Sequence, residues 1–168
     1  MNKQCLACFA AILVLLVVIV PGIAGADYRT SCIISPGYQN VTATEAYKIL
    51  EKKDAFLLDV RTPNEYSYSH IEGAKLITLR NVPAHDPVPL PDSQLLPSRM
   101  KELPKNKLTK IVVYCYTGKR GGEASQLIAN AGYKRVYNIQ NGLPTWVNAG
   151  YPVVMDPAKW GTSYPHYL

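Results

Sequence analysis

A cysteine placed to act as a nucleophile stands in the stretch VVYCYTGKRGGEA, residues 112–124. A run of β-branched residues ends at Cys115; Gly118, Lys119, Arg120, Gly121 and Gly122 follow, and a helical pattern then begins. The nucleophilic form of cysteine is the thiolate. A turn that aims backbone N–H groups inward, with a helix N-terminus behind it, stabilises negative charge on sulfur. Gly118, Gly121 and Gly122 are expected to supply the positive φ angles of such a turn. Lys119 and Arg120 add full positive charges. Together these residues predict a nucleophilic sulfur inside a basket for a small oxyanion or sulfur anion. Each feature alone has a plainer explanation: a strand-end cysteine is often a small buried hydrophobe, and TG or GG pairs often make simple turns.

The flanking elements must hold that turn in place. Thr42 with Glu45 three residues on is a helix-starting capping box, and Ala46, Ile49 and Leu50 then share one face. AFLLDV is a short apolar run carrying Asp59 near its end, the length of a buried strand. Thr62, Pro63 and Glu65 repeat the helix-start pattern. AKLITL and KRVYNI read as further strands, KIVVYC as the strongest one. GGEASQLIANAG reads as a helix closed by Gly132, and LPTWVNAG as a short helix closed by Gly150, with Leu143 and Trp146 in the core. YPVVM is expected to be extended, and SRMKEL to make a helical turn or two. Residues 81–98 hold five prolines and are expected to form an irregular loop, part of a pocket rim.

Strands alternating with helices predict an α/β fold: a doubly wound parallel sheet with helices on both faces and right-handed crossovers. Ligands of such sheets bind at the carboxyl ends of the strands, where Asp59 and Cys115 both fall. Two mature cysteines and three scattered histidines lack metal-ligand spacing, so neither a metal nor another cofactor is expected. His85 and His166 carry no chemistry by their position. The formal net charge of +6 is scattered rather than striped, which argues against nucleic-acid binding and is compatible with small anionic substrates.

The N-terminus reads as an export signal, residues 1–26. Lys3 precedes an uncharged run from Leu6 to Val20, Pro21 and Gly22 break it, and small residues Ala24 to Ala26 suit cleavage after Ala26. Fifteen apolar residues span roughly 22 Å as a helix, short of the roughly 30 Å hydrocarbon core, so a membrane anchor is the alternative. Either way the folded part is expected outside the cytoplasm, periplasmic or secreted. Cleavage would leave Cys32 and Cys115, which could remain free, bridge each other, or act as carrier and resolving thiol. Residues 27–40 are expected to be an extended lead, 41–155 the domain, and 156–168 a tail.

IVVYCYTGKRGGEASQLIANAGYKRVYNIQNGLPTWVNAGYPV resembles the catalytic half of a single-domain rhodanese. FLLDVRTPNEYSYSHIEGAKLI resembles the first signature of that family. The resemblance spans about residues 41–154 and implies a five-stranded sheet. It implies transfer of a sulfane sulfur from thiosulfate or a persulfide donor to a thiol, cyanide or protein acceptor, through a persulfide on Cys115. Tyr116, Thr117, Gly118, Lys119, Arg120 and Gly121 would bind the transferred sulfur or its anionic donor. Asp59 and Arg61 would form a charge pair bracing the sheet edge, and His70 a structural hydrogen bond. Asn141 replaces a glycine of the family pattern, a residue type that tolerates left-handed backbone.

Two other readings stay open. Cysteine phosphatases and the related arsenate reductases place five residues between cysteine and arginine; here four separate Cys115 from Arg120, a smaller basket. Rhodanese-like modules without activity serve as binding or regulatory domains, commonly without the cysteine that this chain keeps.

Overall fold

The computed structural model describes residues 37–159. The predicted export segment, Cys5, Cys8, Cys32, lead residues 27–36 and tail residues 160–168 with His166 lie outside the described residues.

Both capping boxes form. Thr42 Oγ1 accepts from Glu45 N–H and Thr42 N–H donates to Glu45 Oε2, opening α1 (Ala43–Leu50). Thr62 and Glu65 make the same reciprocal pair at the start of α2 (Pro63–Tyr68), with Pro63 where no helical N–H is needed. Each box satisfies backbone donors that a helix start otherwise leaves open.

Five strands form one parallel sheet in the order β1-β6-β5-β2-β4. They are β1 (Gln39–Val41), β2 (Ala55–Asp59), β4 (Lys75–Leu76), β5 (Lys110–Tyr114) and β6 (Val136–Ile139). Successive strand side chains point to opposite faces, so each apolar strand feeds two cores. Leu58, Ile111 and Val113 pack with Ala124, Ile128 and Ala129 of α4 (Lys119–Asn130). Leu57, Val112 and Tyr114 pack on the other face with Ala46 of α1 and Leu143 and Trp146 of α5 (Leu143–Asn148). The doubly wound α/β architecture with helices on both faces is thus the observed one.

The structure corrects several element boundaries. Gln39 and Asn40, read as lead, already belong to β1 and pair with Tyr137 and Asn138. AKLITL narrows to the two residues of β4, although Ile77 and Leu79 still donate to the Asp59 and Val60 carbonyls. β7 (Val154–Met155) pairs antiparallel with β3 (Ser69–His70), outside the main sheet. The proline-rich loop ends earlier than expected, because α3 (Leu96–Arg99) takes Pro97 into its first turn. Asn81 and Leu90 close that loop with two mutual bonds, and Asn64 Nδ2 donates to the His85 carbonyl. Among the described residues no helix is long and apolar enough to cross a membrane.

Candidate active site

Cys115 directly follows β5, at the carboxyl end of a central strand, with α4 starting four residues later. It is a free thiol and fully buried, in contact with the core that includes Leu58, Val60 and Ala124. Its Sγ accepts a hydrogen bond from Gly118 N–H at 3.1 Å. Gly118 is left-handed, φ +83°, and caps α4. A side chain there would meet the Asn141 backbone N at 2.9 Å, so both conformation and space require glycine. The sulfur therefore lies under a four-residue turn rather than in an open basket.

The remaining turn residues are corrected by the structure. Lys119 and Arg120 form the first turn of α4 rather than a loop. Gly121 and Gly122 are helical, not positive-φ residues. Their missing side chains serve close contact: a Cβ on Gly121 would stand 2.3 Å from Asn138 Oδ1, and one on Gly122 would stand 2.8 Å from the Tyr38 hydroxyl. Tyr116 is half-buried, while Thr117 and Lys119 are exposed.

Arg120 does not point to solvent to meet a donor. It is buried and forks onto Glu65, Nη1 to Oε2 at 2.7 Å and Nη2 to Oε1 at 2.6 Å. Burial works against the Arg120 charge, yet the bonds and charge of Glu65 hold its pKa above the usual value, with a smaller contribution from Cys115. Glu65 is likewise held below its usual range: burial would raise it, but Arg120, the Thr62 N–H and Arg61 outweigh that. His85, expected to be inert, reaches the same carboxylate, Nδ1 to Oε1 at 3.5 Å. One helix-cap residue thus joins α2 to α4 by two hydrogen bonds, with His85 of the proline-rich loop close beside it. Glu65 and His85 carried no sequence signal for this role. Glu65 looked complete as a cap, and its partner lies 55 positions away.

Asp59 and Arg61 do pair. Arg61 Nη2 donates to Asp59 Oδ2 at 2.7 Å and to the Ser69 carbonyl at 2.6 Å. Both are buried, and the guanidinium lies 5.5 Å over the Tyr114 ring. Asp59 closes β2, which β5 and β4 flank, so the pair braces the carboxyl rim between strands rather than a sheet edge. Burial and the Asp59 charge push the Tyr114 hydroxyl well above its usual range, which keeps it a neutral acceptor for Ile71 N–H. His70 stacks on Tyr66 and donates from Nδ1 to the Tyr66 carbonyl at 3.0 Å, the structural bond its position implied.

After β6 the chain turns through Asn141 (φ +58°) and Gly142 (φ +66°). Asn141 takes the left-handed conformation expected of its type. A Cβ on Gly142 would come within 2.3 Å of the Cys115 carbonyl, and Leu143 N–H donates to that same carbonyl at 2.9 Å. The Cys115 peptide is thereby held from the β6–α5 turn. Beside it opens a cleft of about 680 Å³, walled by Thr117, Gly118, Lys119, Asn138 and Asn141 among others.

Comparison with known proteins agrees with this geometry. The model of the rhodanese-like domain matches residues 42–149. A sulfurtransferase of Allochromatium vinosum is 32% identical over 64% of this chain and 85% of its own length. The thiosulfate sulfurtransferase GlpE of Coxiella burnetii is 26% identical over 65% of this chain and 87% of its own. Among solved structures, a rhodanese-related protein of Thermoplasma volcanium superimposes with a TM-score of 0.55 at 25% identity, covering 71% of this chain and 100% of that one. With the matched span holding the buried strand-end thiol, its glycine cap and the Asp59–Arg61 brace, this chain belongs to the rhodanese-like domain family.

Proposed function

We propose that this protein is an extracytoplasmic sulfurtransferase that carries a sulfane sulfur on Cys115. The supporting observation is the Gly118 N–H on Cys115 Sγ, at the carboxyl end of β5 and the N-terminus of α4. That donor and the helix end favour negative charge where a persulfide must sit. With thiosulfate as donor, the Cys115 thiolate attacks the outer sulfur. A new S–S bond forms, the S–S bond of thiosulfate breaks, and sulfite leaves with the bonding pair. The persulfide anion then gives its terminal sulfur to cyanide, forming thiocyanate, or to a thiolate on a small molecule or protein, forming a new persulfide. Cys115 returns as thiolate in each case, and no external oxidant or reductant is consumed. The apolar run Leu6 to Val20 and the Ala24 to Ala26 site support export, which N-terminal sequencing of the protein recovered from its compartment checks.

Intact-mass measurement after thiosulfate or persulfide treatment tests the reading. One added sulfur is expected on the peptide holding Cys115. No adduct from any donor would assign the chain the role of a non-catalytic binding module. Phosphate-ester chemistry is disfavoured, because Arg120 is committed to Glu65 and not free to wrap a phosphate.

Lys119 takes the donor-attracting part expected of both cations. It is exposed on the wall of the cleft beside the turn. Lys119→Ala is expected to raise KM for thiosulfate roughly three- to tenfold with kcat unchanged, and the effect should shrink at high salt, as screening predicts. A salt-independent loss confined to kcat would remove Lys119 from donor capture.

A further inference from the structure

Asn138 lies in β6, in register with Val113 of β5, two residues before Cys115. The residue is 4% exposed. Nδ2 donates to Asn40 Oδ1 at 2.8 Å and to the Gly118 carbonyl at 3.2 Å. A main-chain carbonyl can only accept, so this bond fixes which end of the amide is nitrogen. Oδ1 then faces Gly121, where a Cβ would stand 2.3 Å away, and among the described residues it accepts no hydrogen bond.

A buried amide oxygen without a donor costs about 1–3 kcal/mol, and an apolar side chain of similar size would avoid that cost. The position instead keeps an amide whose gain lies on its nitrogen. One of its two bonds goes to the Gly118 carbonyl, which also accepts from Gly122 N–H at 2.9 Å. Gly118 is thus held at both ends, its carbonyl by Asn138 and the helix, its N–H on Cys115 Sγ. Glycine has the widest conformational range of any residue, so external bonds must do what a Cβ does elsewhere. The Gly121 gap is explained by the same contact, since it admits the amide that reaches Gly118.

We propose that Asn138 is a positioning residue for sulfur transfer: by clamping the Gly118 carbonyl it keeps Gly118 left-handed, with its N–H aimed at the sulfur of Cys115. Its amide bonds Asn40 and the Gly118 carbonyl rather than the sulfur, and its catalytic consequence rests on the sulfur-carrier reading above. Asn138→Asp keeps the shape and replaces the clamp's donor with a carboxylate that repels the Gly118 carbonyl. Asn138→Ala removes the clamp without adding charge.

The first measurement is single-turnover loading of Cys115 from thiosulfate, followed by intact mass well below each variant's Tm. Removing a well-aimed donor from a reacting centre typically costs about a hundredfold or more, and misaiming one costs less. Both variants are accordingly expected to load about tenfold or more slowly, with KM for thiosulfate within about twofold of the parent. A role limited to stability would lower Tm and leave this split unmoved. The second measurement is the 1H–15N spectrum with amide exchange, which needs no activity. The Gly118 resonance is expected to shift and its exchange to quicken about tenfold, while Ile111 to Val113 keep their parent rates. Folded Asn138→Asp and Asn138→Ala proteins with parent loading and an unmoved Gly118 amide would overturn the proposal. If the parent takes no sulfur from any donor, the carrier reading falls instead, and the Gly118 amide alone decides whether the clamp exists.

Discussion

Cys115→Ser is expected to lower sulfur transfer from thiosulfate to cyanide by at least about a thousandfold in kcat/KM, the scale on which removed nucleophiles act. The hydroxyl of serine stays un-ionised near neutral pH, and its oxygen cannot form the S–S bond that stores the transferred atom. Among the described residues Cys115 is the one free cysteine, and its sulfur is the atom that meets the Gly118 N–H. The fold should survive. Serine Oγ can take over the Gly118 hydrogen bond, so the residual cost is that of placing a hydroxyl among Leu58, Val60 and Ala124, on the order of 1–2 kcal/mol. Thiocyanate formation and a thermal melt on the same sample check both halves. Turnover that persists in the serine variant would show that sulfur travels by another route.

Glu65→Gln is expected to destabilise the protein by about 3–5 kcal/mol, the range found when one partner of a buried ion pair is removed. The amide keeps the shape of glutamate but turns an N–H group toward the Arg120 guanidinium, donor against donor. Arg120 is then left charged, with a side chain only 10% exposed. The loss also reaches the Thr62 N–H and the contact with His85, both on the same carboxylate. Tm should fall by roughly 10 °C or more, taking about 3–4 °C per kcal/mol for a domain of this size.

The pH dependence of that effect has a definite sign. Glu65 is held below its usual value near 4.5 in the folded protein. Its stabilisation is therefore complete above about pH 4.5 and drains away as pH falls through the lower folded value. Denaturant melts from pH 6 downward should show the parent losing stability along this limb and the glutamine variant losing less. A residual slope is expected from Glu102, which Arg99 and Lys75 bring down to about 2. Parallel acid limbs in the two proteins would mean that Glu65 is not the group being titrated.

Residues close together in the chain carried most of what could be read in advance. Thr42 with Glu45, and Thr62 with Glu65, name helix starts because a cap and its donor sit three residues apart. The apolar runs around Leu58 and Val113 name buried strands, and their alternation with helices implies the parallel sheet. Cys115 at a strand end before a glycine turn was legible for the same reason, as were the left-handed Gly118 and Asn141, whereas the Asp59–Arg61 pair was implied by the resemblance to the family signature. β1 escaped because three residues with one buried side chain give no period, and only the neighbouring β6 makes them a strand.

The sequence by itself therefore determined the secondary-structure alternation, the sheet class and the place of a cysteine at a strand end, since each depends on interactions spanning a few residues. Tertiary structure alone decided what surrounds that sulfur. Arg120 meets Glu65 rather than solvent, Gly121 and Gly122 make room for Asn138 and Tyr38, and His85 arrives from the proline-rich loop. A buried charge must find a counter-charge and a buried carbonyl a donor, but which one lies within reach depends on how distant strands and helices stack. No local pattern carries that information.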